Sequence, residues 1–470
     1  MKKILHPVII LLLSAGLLGA GCSKNFLVKN PGDGVSADQA LLDSSAMQTA
    51  LYGAYAELRA TDAYGRSLMV LGDLQADNTF VEQANAGRYL SNFSYSVTVN
   101  DGVALGMWRN LYAVIQRANQ IIDAKPAGLL ASQVRAQAYG LRALSYFRLV
   151  NIFARPYTDD KNGKGVPIVL HYDLNYLPAR STVDSVYKQI VSDLKTAIPL
   201  APNYTASTYL SKYAIEALLA KTYLYMGDNA DAETTAVDVI NNSGFSLATP
   251  TGFNAFWENP GIQKNQVEVM FEIDVDLNNN NGADDLSLIY IRDGYRDIFA
   301  SSQLYNLYSA TDVRQSLLVP GTTKRSAPAY LVNKFANGSN TADRDNLKVI
   351  RLAETYLVAA EAALPGNETT ARFYLNALMA QRDTSFAGYT STGSQLLNDI
   401  VQERRKELAF EGDRLYDLNR LKLPVNRVAN PGSIPGPLSI LYTDSKRVQP
   451  IPQSEVQANP VIAGQQNPGY

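Results

Sequence analysis

Cysteine is almost missing from this chain of 470 residues: Cys22 is the single copy, so no disulfide within the chain can staple the fold and its stability must come from packing. Histidine is nearly as scarce, and of its two copies His6 lies in an apolar leader. His171 is therefore alone in the body of the chain, unable to build a histidine metal cluster or to form a dyad with a cysteine; it reads as a solvated loop residue. A positive excess is missing too. With a net charge of −2 and no basic stripe carrying aromatics, the chain has no electrostatic hold on a polyanion, so nucleic acid is excluded as a partner. Beyond the leader no apolar run reaches the roughly 18 residues of a spanning helix. Gly-rich phosphate cradles of the Walker or dinucleotide type are also missing, and no cofactor is implied.

What is present begins with the leader. Lys2 and Lys3 are followed by an apolar run through Ile9, Ile10, Leu11, Leu12 and Leu13 to Leu18, too short for a permanent span, and then by Gly19, Ala20 and Gly21 before Cys22. Residues 1–21 read as a lipoprotein signal peptide and Cys22 as the acceptor of lipid. Acyl chains there would tether the remaining body to a membrane far more firmly than one chain could.

Tyrosine is over-represented, with 28 copies against 14 Phe and 2 Trp. Phenols suit both half-dry helix seams and polar ligand surfaces. A repeated pattern of small, any, hydroxyl, Tyr, large apolar occurs at Ala143 to Phe147, Ala220 to Leu224 and Ala353 to Leu357, each inside a helical period. Val134, Ala138, Leu141 and Leu144 share one helical face, and Tyr146, Val150 and Phe153 extend the apolar surface around it. Ala220, Tyr223, Gly227, Ala232 and Ala236 carry the spacing of a tetratricopeptide unit. The expected fold is mainly α: tetratricopeptide-like helix pairs forming a superhelical scaffold, with long loops and small β insertions.

Residues 62–101 and 156–182 read as loops. The main insertion, about residues 244–346, holds a strand-like run at 267–275, the tract Asn278 to Asn281, and Tyr290, Tyr295, Tyr305 and Tyr308. Helices are expected to resume at Val349 and a strong one to run from Gln395 to Arg420, with a Pro- and Gly-rich tail from Asn426 wrapping the surface.

These residues in order resemble the SusD/RagB family of outer-membrane nutrient-binding lipoproteins. The resemblance is carried by Cys22-Ser23-Lys24-Asn25-Phe26-Leu27 with Pro31; by Trp108-Arg109-Asn110-Leu111-Tyr112 with Ala118 and Asn119; and by Leu141-Arg142-Ala143 with Tyr146-Phe147. It continues through Gly165-Val166-Pro167, Ile350-Arg351-Leu352-Ala353-Glu354, the run Glu403-Arg404-Arg405-Lys406-Glu407-Leu408-Ala409-Phe410-Glu411-Gly412, and Asn467-Pro468-Gly469-Tyr470. The resemblance implies one SusD-like helical domain over residues 22–470, anchored by lipid at the outer membrane and facing the cell exterior. It also implies a partner, a SusC-like TonB-dependent transporter on which the chain acts as a lid, and an oligosaccharide or oligopeptide ligand.

Glu403, Glu407 and Glu411 are spaced four apart beside Arg404, Arg405, Arg414 and Arg420, which invites a glycosidase reading. Hydrolysis needs two carboxyls facing each other across a substrate, so ion pairs that fix helices together are the expected role, for Glu354 and Glu361 as well. Asp274, Asp276, Asn278, Asn280 and Asp285 partly match a calcium loop, but Asn279 replaces the turn glycine and Asp285 the longer Glu. A polar hairpin tip is the preferred reading, calcium the alternative, and no metal is assigned.

A saccharide site should combine aromatic rings for CH faces with Asn, Asp and Arg for hydroxyls, on exposed loops. Two segments qualify as ligand-binding candidates. One carries Tyr64, Asp77, Asn78, Arg88, Tyr89, Asn92 and Tyr95, the other Tyr290, Arg292, Tyr295 and Arg296. With no catalytic constellation the chain is expected to be a non-enzymatic glycan-binding lid. An oligopeptide-binding lid, a glycan-hydrolysing enzyme and a scaffold gripping only proteins remain the alternatives.

Overall fold

The structure, a computed structural model, describes residues 41–470 except Leu174, Arg292 and Thr341. The leader, Cys22 and the candidate Arg292 lie outside the described residues. Eleven longer helices carry the fold: α1 (Ser44–Leu58), α2 (Ser67–Leu74), α3 (Gly102–Asp123), α4 (Leu129–Phe153), α5 (Val183–Ala197), α6 (Lys212–Met226), α7 (Asn229–Asn242), α8 (Leu352–Ala363), α9 (Glu368–Met379), α10 (Gly393–Glu407) and α11 (Arg414–Arg420). They stack in sequence, α1 on α3 and α4, α4 on α5, α6 on α7, α7 on α8 and α8 on α9, as tetratricopeptide-like pairs.

The local sequence explains the starts and stops. Asp43 and Asp101 each accept an amide hydrogen bond three residues on at 2.8 Å, and Thr182 and Asn367 do so at 3.1 Å. Such caps contribute about 1 kcal/mol each. Gly227 ends α6 at φ +75°, its amide donating to Leu224 O, and Ala220, Ala232 and Ala236 are fully buried where α6 meets α7. The repeated hydroxyl also has a reason. Ser145 and Thr222 are buried, and each donates to the carbonyl four residues back, at 2.8 and 2.7 Å, so a polar atom enters the packed seam without losing its partner.

Three expectations need correction. Residues 62–101 are not simply loop: the run Leu68-Met69-Val70-Leu71 makes α2, which is buried on every side. Helix resumes at Leu352 rather than Val349, because Lys348-Val349-Ile350 belongs to a strand. The expected helix from Gln395 to Arg420 is broken into α10 and α11, where Phe410 (φ +67°) and Gly412 (φ +81°) turn left-handed. Gly412 packs against α2 so closely that a Cβ there would run into the carbonyl of Leu68, and one on Gly72 would meet Gly412 itself.

The β structure begins with β1 (Thr79–Val81); the insertion adds β2 (Val269–Ile273), β3 (Ile298–Ala300), β4 (Leu318–Thr322) and β5 (Pro328–Val332), and β6 (Leu347–Arg351) follows it directly, with the small pair β7 (Val425–Asn426) and β8 (Ser439–Ile440) further on. One antiparallel sheet has the order β1-β3-β5-β4, and β2 pairs with β6. The tail is fastened down, with Asn467 donating to the carbonyls of Phe153 and Gln449 at 2.8 and 2.7 Å.

Candidate ligand-binding site

Most of the carboxylates that invited a catalytic reading are interior clasps. Glu407, at the end of α10, is met by Arg351 at 2.8 Å and Arg382 at 2.9 Å, while Glu411 is met by Arg351 at 2.6 Å and Lys334 at 2.6 Å. Arg314 reaches Glu403 at 2.7 Å and Glu407 at 3.2 Å, and Glu268 joins Arg351 to Arg382 at 3.0 and 2.8 Å. Burial alone would push the Glu407 carboxyl up, but Arg382, Arg351 and Arg314 outweigh it and hold the carboxyl well below its ordinary range. Glu354 is engaged by Lys221 at 2.8 Å and Glu361 by Arg420 at 2.5 Å. All of these acids are buried and paired to arginine or lysine, which joins β6, α8, α10 and α11.

Six of the ligand candidates prove to be interior, a correction that follows from α2 and from the packing of the turn after α10. Tyr64 accepts from Arg148 Nε at 2.8 Å. Asp77 receives Arg414 at 2.9 and 3.0 Å; burial raises its carboxyl, yet Arg414 and Arg405 bring it below the ordinary value. Asn78 bridges Asp73 at 2.7 Å and Arg405 at 2.8 Å. The Tyr89 phenol is held between Arg66 and Ser67 at 3.0 and 2.9 Å, Asn92 is buried, and Tyr290 packs between Phe335 and Phe410. Tyr95 is half-buried, its hydroxyl donating to the carbonyl of Gln75.

Of the remaining described candidates, Arg88 and Tyr295 come together, and Arg296 follows Tyr295 in the chain. β1 and β3 run antiparallel, Thr79 opposite Ala300 and Val81 opposite Ile298, so the segment after β1 and the segment before β3 emerge side by side. A further bond from Glu82 N to Asp297 O at 2.9 Å extends the pairing outward. The Arg88 guanidinium consequently stacks 3.5 Å above the Tyr295 ring centroid. Around it run Arg66 to Asp284 at 2.6 Å, Arg88 to Asp284 at 3.9 Å, Arg88 to Asp297 at 3.6 Å and Lys324 to Asp297 at 2.8 Å. Tyr89, Tyr95 and Arg296 occupy left-handed backbone at φ +57°, +58° and +50°, a conformation that non-glycine residues adopt at a cost and that clusters where loops are shaped for a purpose.

This edge offers an aromatic ring beneath a planar cation, flanked by the half-exposed Asp284 carboxylate and the partly exposed Lys324 ammonium, with the Asp297 carboxylate buried beneath them. Sequence reading singled out Arg88 and Tyr295 on this edge but not Arg66, Asp284, Asp297 and Lys324. No local signal marks Lys324, which reaches the site only because β4 and β5 carry their hairpin back to β3.

His171 is solvated, its side chain 80% exposed and its ring 3.1 Å from Asp123. In the Asn-rich tract, Asp276 Oδ1 accepts from the amides of Asn278 and Asn279 at 2.6 and 2.7 Å, and Asp285 Oδ1 from Asn281 N at 2.7 Å. Both acids thus serve the turn itself. Among the described residues no group of three His, Cys, Asp or Glu side chains is placed to hold a metal ion.

Comparison with known proteins gives a consistent picture. Residues 28–224 match the family described as "Starch-binding associating with outer membrane", and residues 300–470 match the "SusD family". SusD-like protein P2 of Formosa agariphila is 29% identical with the whole of both chains covered, and a SusD-like protein of Bacteroides ovatus is 24% identical over 89% of this chain and 83% of that one. Among solved structures, a putative sugar binding protein of Bacteroides vulgatus superposes with a TM-score of 0.83 at 30% identity, covering 92% of this chain and 99% of its own. A SusD superfamily protein of Bacteroides thetaiotaomicron also reaches 0.83, at 29% identity over 91% of this chain and 100% of its own.

Proposed function

Because the chain belongs to the SusD family, we propose that it is a glycan-binding lipoprotein of the outer membrane that captures an oligosaccharide on the Arg88 and Tyr295 edge and passes it on uncleaved. The observation that carries this reading is the stacking of Arg88 on Tyr295 at 3.5 Å beside the half-exposed Asp284, with the buried Asp297 pairing Arg88 from below. A pyranose places CH groups against an aromatic ring and hydroxyls against carboxylate and guanidinium, and the edge supplies both. The sugar-binding description of the similar Bacteroides vulgatus protein supports the ligand class. The glutamates that invited a cleavage reading, Glu403, Glu407 and Glu411, are committed to buried arginine and lysine partners.

In the same reading, residues 1–21 are removed, Cys22 is acylated, and the body closes over a TonB-dependent transporter. No helix among the described residues is long and apolar enough to cross a membrane, which suits an anchor made of lipid. Titration calorimetry against a glycan panel tests the site: Tyr295→Ala and Arg88→Ala are each expected to weaken binding about tenfold. Unchanged affinity in both variants removes the site, and reducing sugar released by the purified protein removes the non-enzymatic reading. Radiolabelled palmitate incorporated by the wild type but not by Cys22→Ala, with the variant lost from membranes, tests the anchor. Co-purification with an outer-membrane barrel tests the lid.

A further inference from the structure

A second recess lies across the Asn-rich turn from the Arg88 edge. Its walls are the C-terminal half of α1, with Tyr52, Tyr55 and Arg59; Tyr209, in the segment entering α6; and the end of β2, with Glu272 and Asp274. It encloses about 310 Å³, the scale of a small-ligand site. Tyr52 and Tyr209 stand with ring centroids 6.0 Å apart, and Tyr52 is 48% exposed although its helix buries Leu51 and Ala54 completely. Tyr55 holds the wall still: its hydroxyl donates to Gln137 at 2.8 Å and accepts from Leu210 N at 2.9 Å, while its ring meets Tyr209 edge-on at 5.8 Å.

The polar lining is acidic. Glu272 is fully buried, its Oε1 accepting from Ser207 Oγ at 2.5 Å and Asn346 Nδ2 at 3.2 Å, while Oε2 has no hydrogen-bond partner and lies 3.9 Å from the Lys348 ammonium. Such a free buried acceptor is unusual in a packed interior. Burial, and then the charge of Asp276, raises the Asp274 carboxyl. Arg59, the one cation in the lining, is already tied to the Asp274 carbonyl at 3.0 Å.

We infer that this tyrosine-walled recess is a second saccharide site, selective for uncharged sugars. The Tyr52 and Tyr209 rings supply stacking surface, and the half-buried Asp274 supplies an acceptor for hydroxyls, while the buried Glu272 holds the wall behind it. Asp274, with Asp276 beside it, disfavours a uronate or a sulfate ester. The inference rests on the reading of the chain as a glycan binder and adds a place to it. The turn that follows β2 serves both sites, contributing Asn279 to this recess and Asp284 to the Arg88 edge.

The test is calorimetry in the Arg88→Ala/Tyr295→Ala background, which silences the first site, with α-1,4-gluco-, β-1,3-gluco-, β-1,4-xylo-, β-1,4-manno- and galacturono-oligosaccharides as probes. One of the four neutral probes is expected to bind, with affinity lowered about tenfold by adding Tyr52→Ala/Tyr209→Ala. Tyr52→Ala alone, at a half-exposed position, serves as the variant that keeps the fold, checked by circular dichroism. Neutral binding indifferent to both tyrosine changes, equal binding of the galacturonate probe, or no heat from any neutral probe at millimolar concentration overturns the inference. Failure of the first site alone reads differently: there, restoring Arg88 and Tyr295 leaves affinity unchanged while the Tyr52 and Tyr209 changes still reduce it.

Discussion

Around the end of α10, arginines 314, 351 and 382 meet Glu268, Glu403, Glu407 and Glu411; along the edge beyond β1, Arg66, Arg88 and Lys324 meet Asp284 and Asp297. The residue types are nearly the same, but the surroundings are not. In the first set Arg314, Arg351 and Arg382 have side chains 2%, 1% and 0% exposed, whereas in the second Asp284, Lys324, Arg88 and Arg66 are 51%, 31%, 23% and 11% exposed and only Asp297 is fully buried. Without water, each interior charge depends on its partner and the set can only hold helices in register. Beside water, the pairs to Asp284 are screened and worth little to stability, so on the proposed reading their groups stay free to exchange a solvent contact for a ligand contact, while the buried Asp297 anchors Arg88 and Lys324.

Glu407→Gln should break the comparison hardest, by leaving buried arginines short of a counter-charge; a loss of about 3–5 kcal/mol is expected, read from the urea midpoint. Acid should act on the same cluster. The folded Glu407 carboxyl lies well below its ordinary value of 4.5, so the stability it supplies is present above that pH and lost as pH falls through the lower folded value. Urea midpoints of the wild type should fall on acidification in this range, and Glu407→Gln should flatten the fall; an unchanged slope would separate the cluster from acid stability. Next comes Gly412→Ala, expected to cost more than about 1 kcal/mol because it combines left-handed backbone with a Cβ directed at the Leu68 carbonyl. Loss of the turn would show the interior charges to depend on their frame. The smallest stability effect belongs to Arg88→Ala, at about 0–1 kcal/mol, although the same change should weaken glycan binding. A large fall in its urea midpoint would erase the distinction between the two sets.

Much of the scaffold is legible because its signals are local. Ala220, Tyr223, Gly227, Ala232 and Ala236 announce a helix, a left-handed stop and a close-packed second helix, and they fold that way. The break after Glu407 is not legible, since Leu408, Ala409 and Phe410 continue an apolar helical pattern and only contact with α2 makes the left-handed turn worthwhile. The proposed ligand edge is half legible for a related reason. Arg88 and Tyr295 stand out by composition, but Tyr64, Asp77 and Tyr290 look equally suitable until α2 is seen to bury the segment. Asp284 and Lys324 arrive through strand pairing that no short window contains. Tyr52 and Tyr209 are disguised by their setting, because tyrosine on an amphipathic helix and in a helix-entry segment ordinarily fills a seam.

The antiparallel ladder of β1 and β3 has one further consequence. It fixes where two strips of polypeptide leave the body while dictating almost nothing about their chemistry beyond Val81 and before Ile298. If the proposed site is right, grafting new strips onto those strand ends should retarget the molecule toward a different sugar while the clasp around α10 keeps its arrangement.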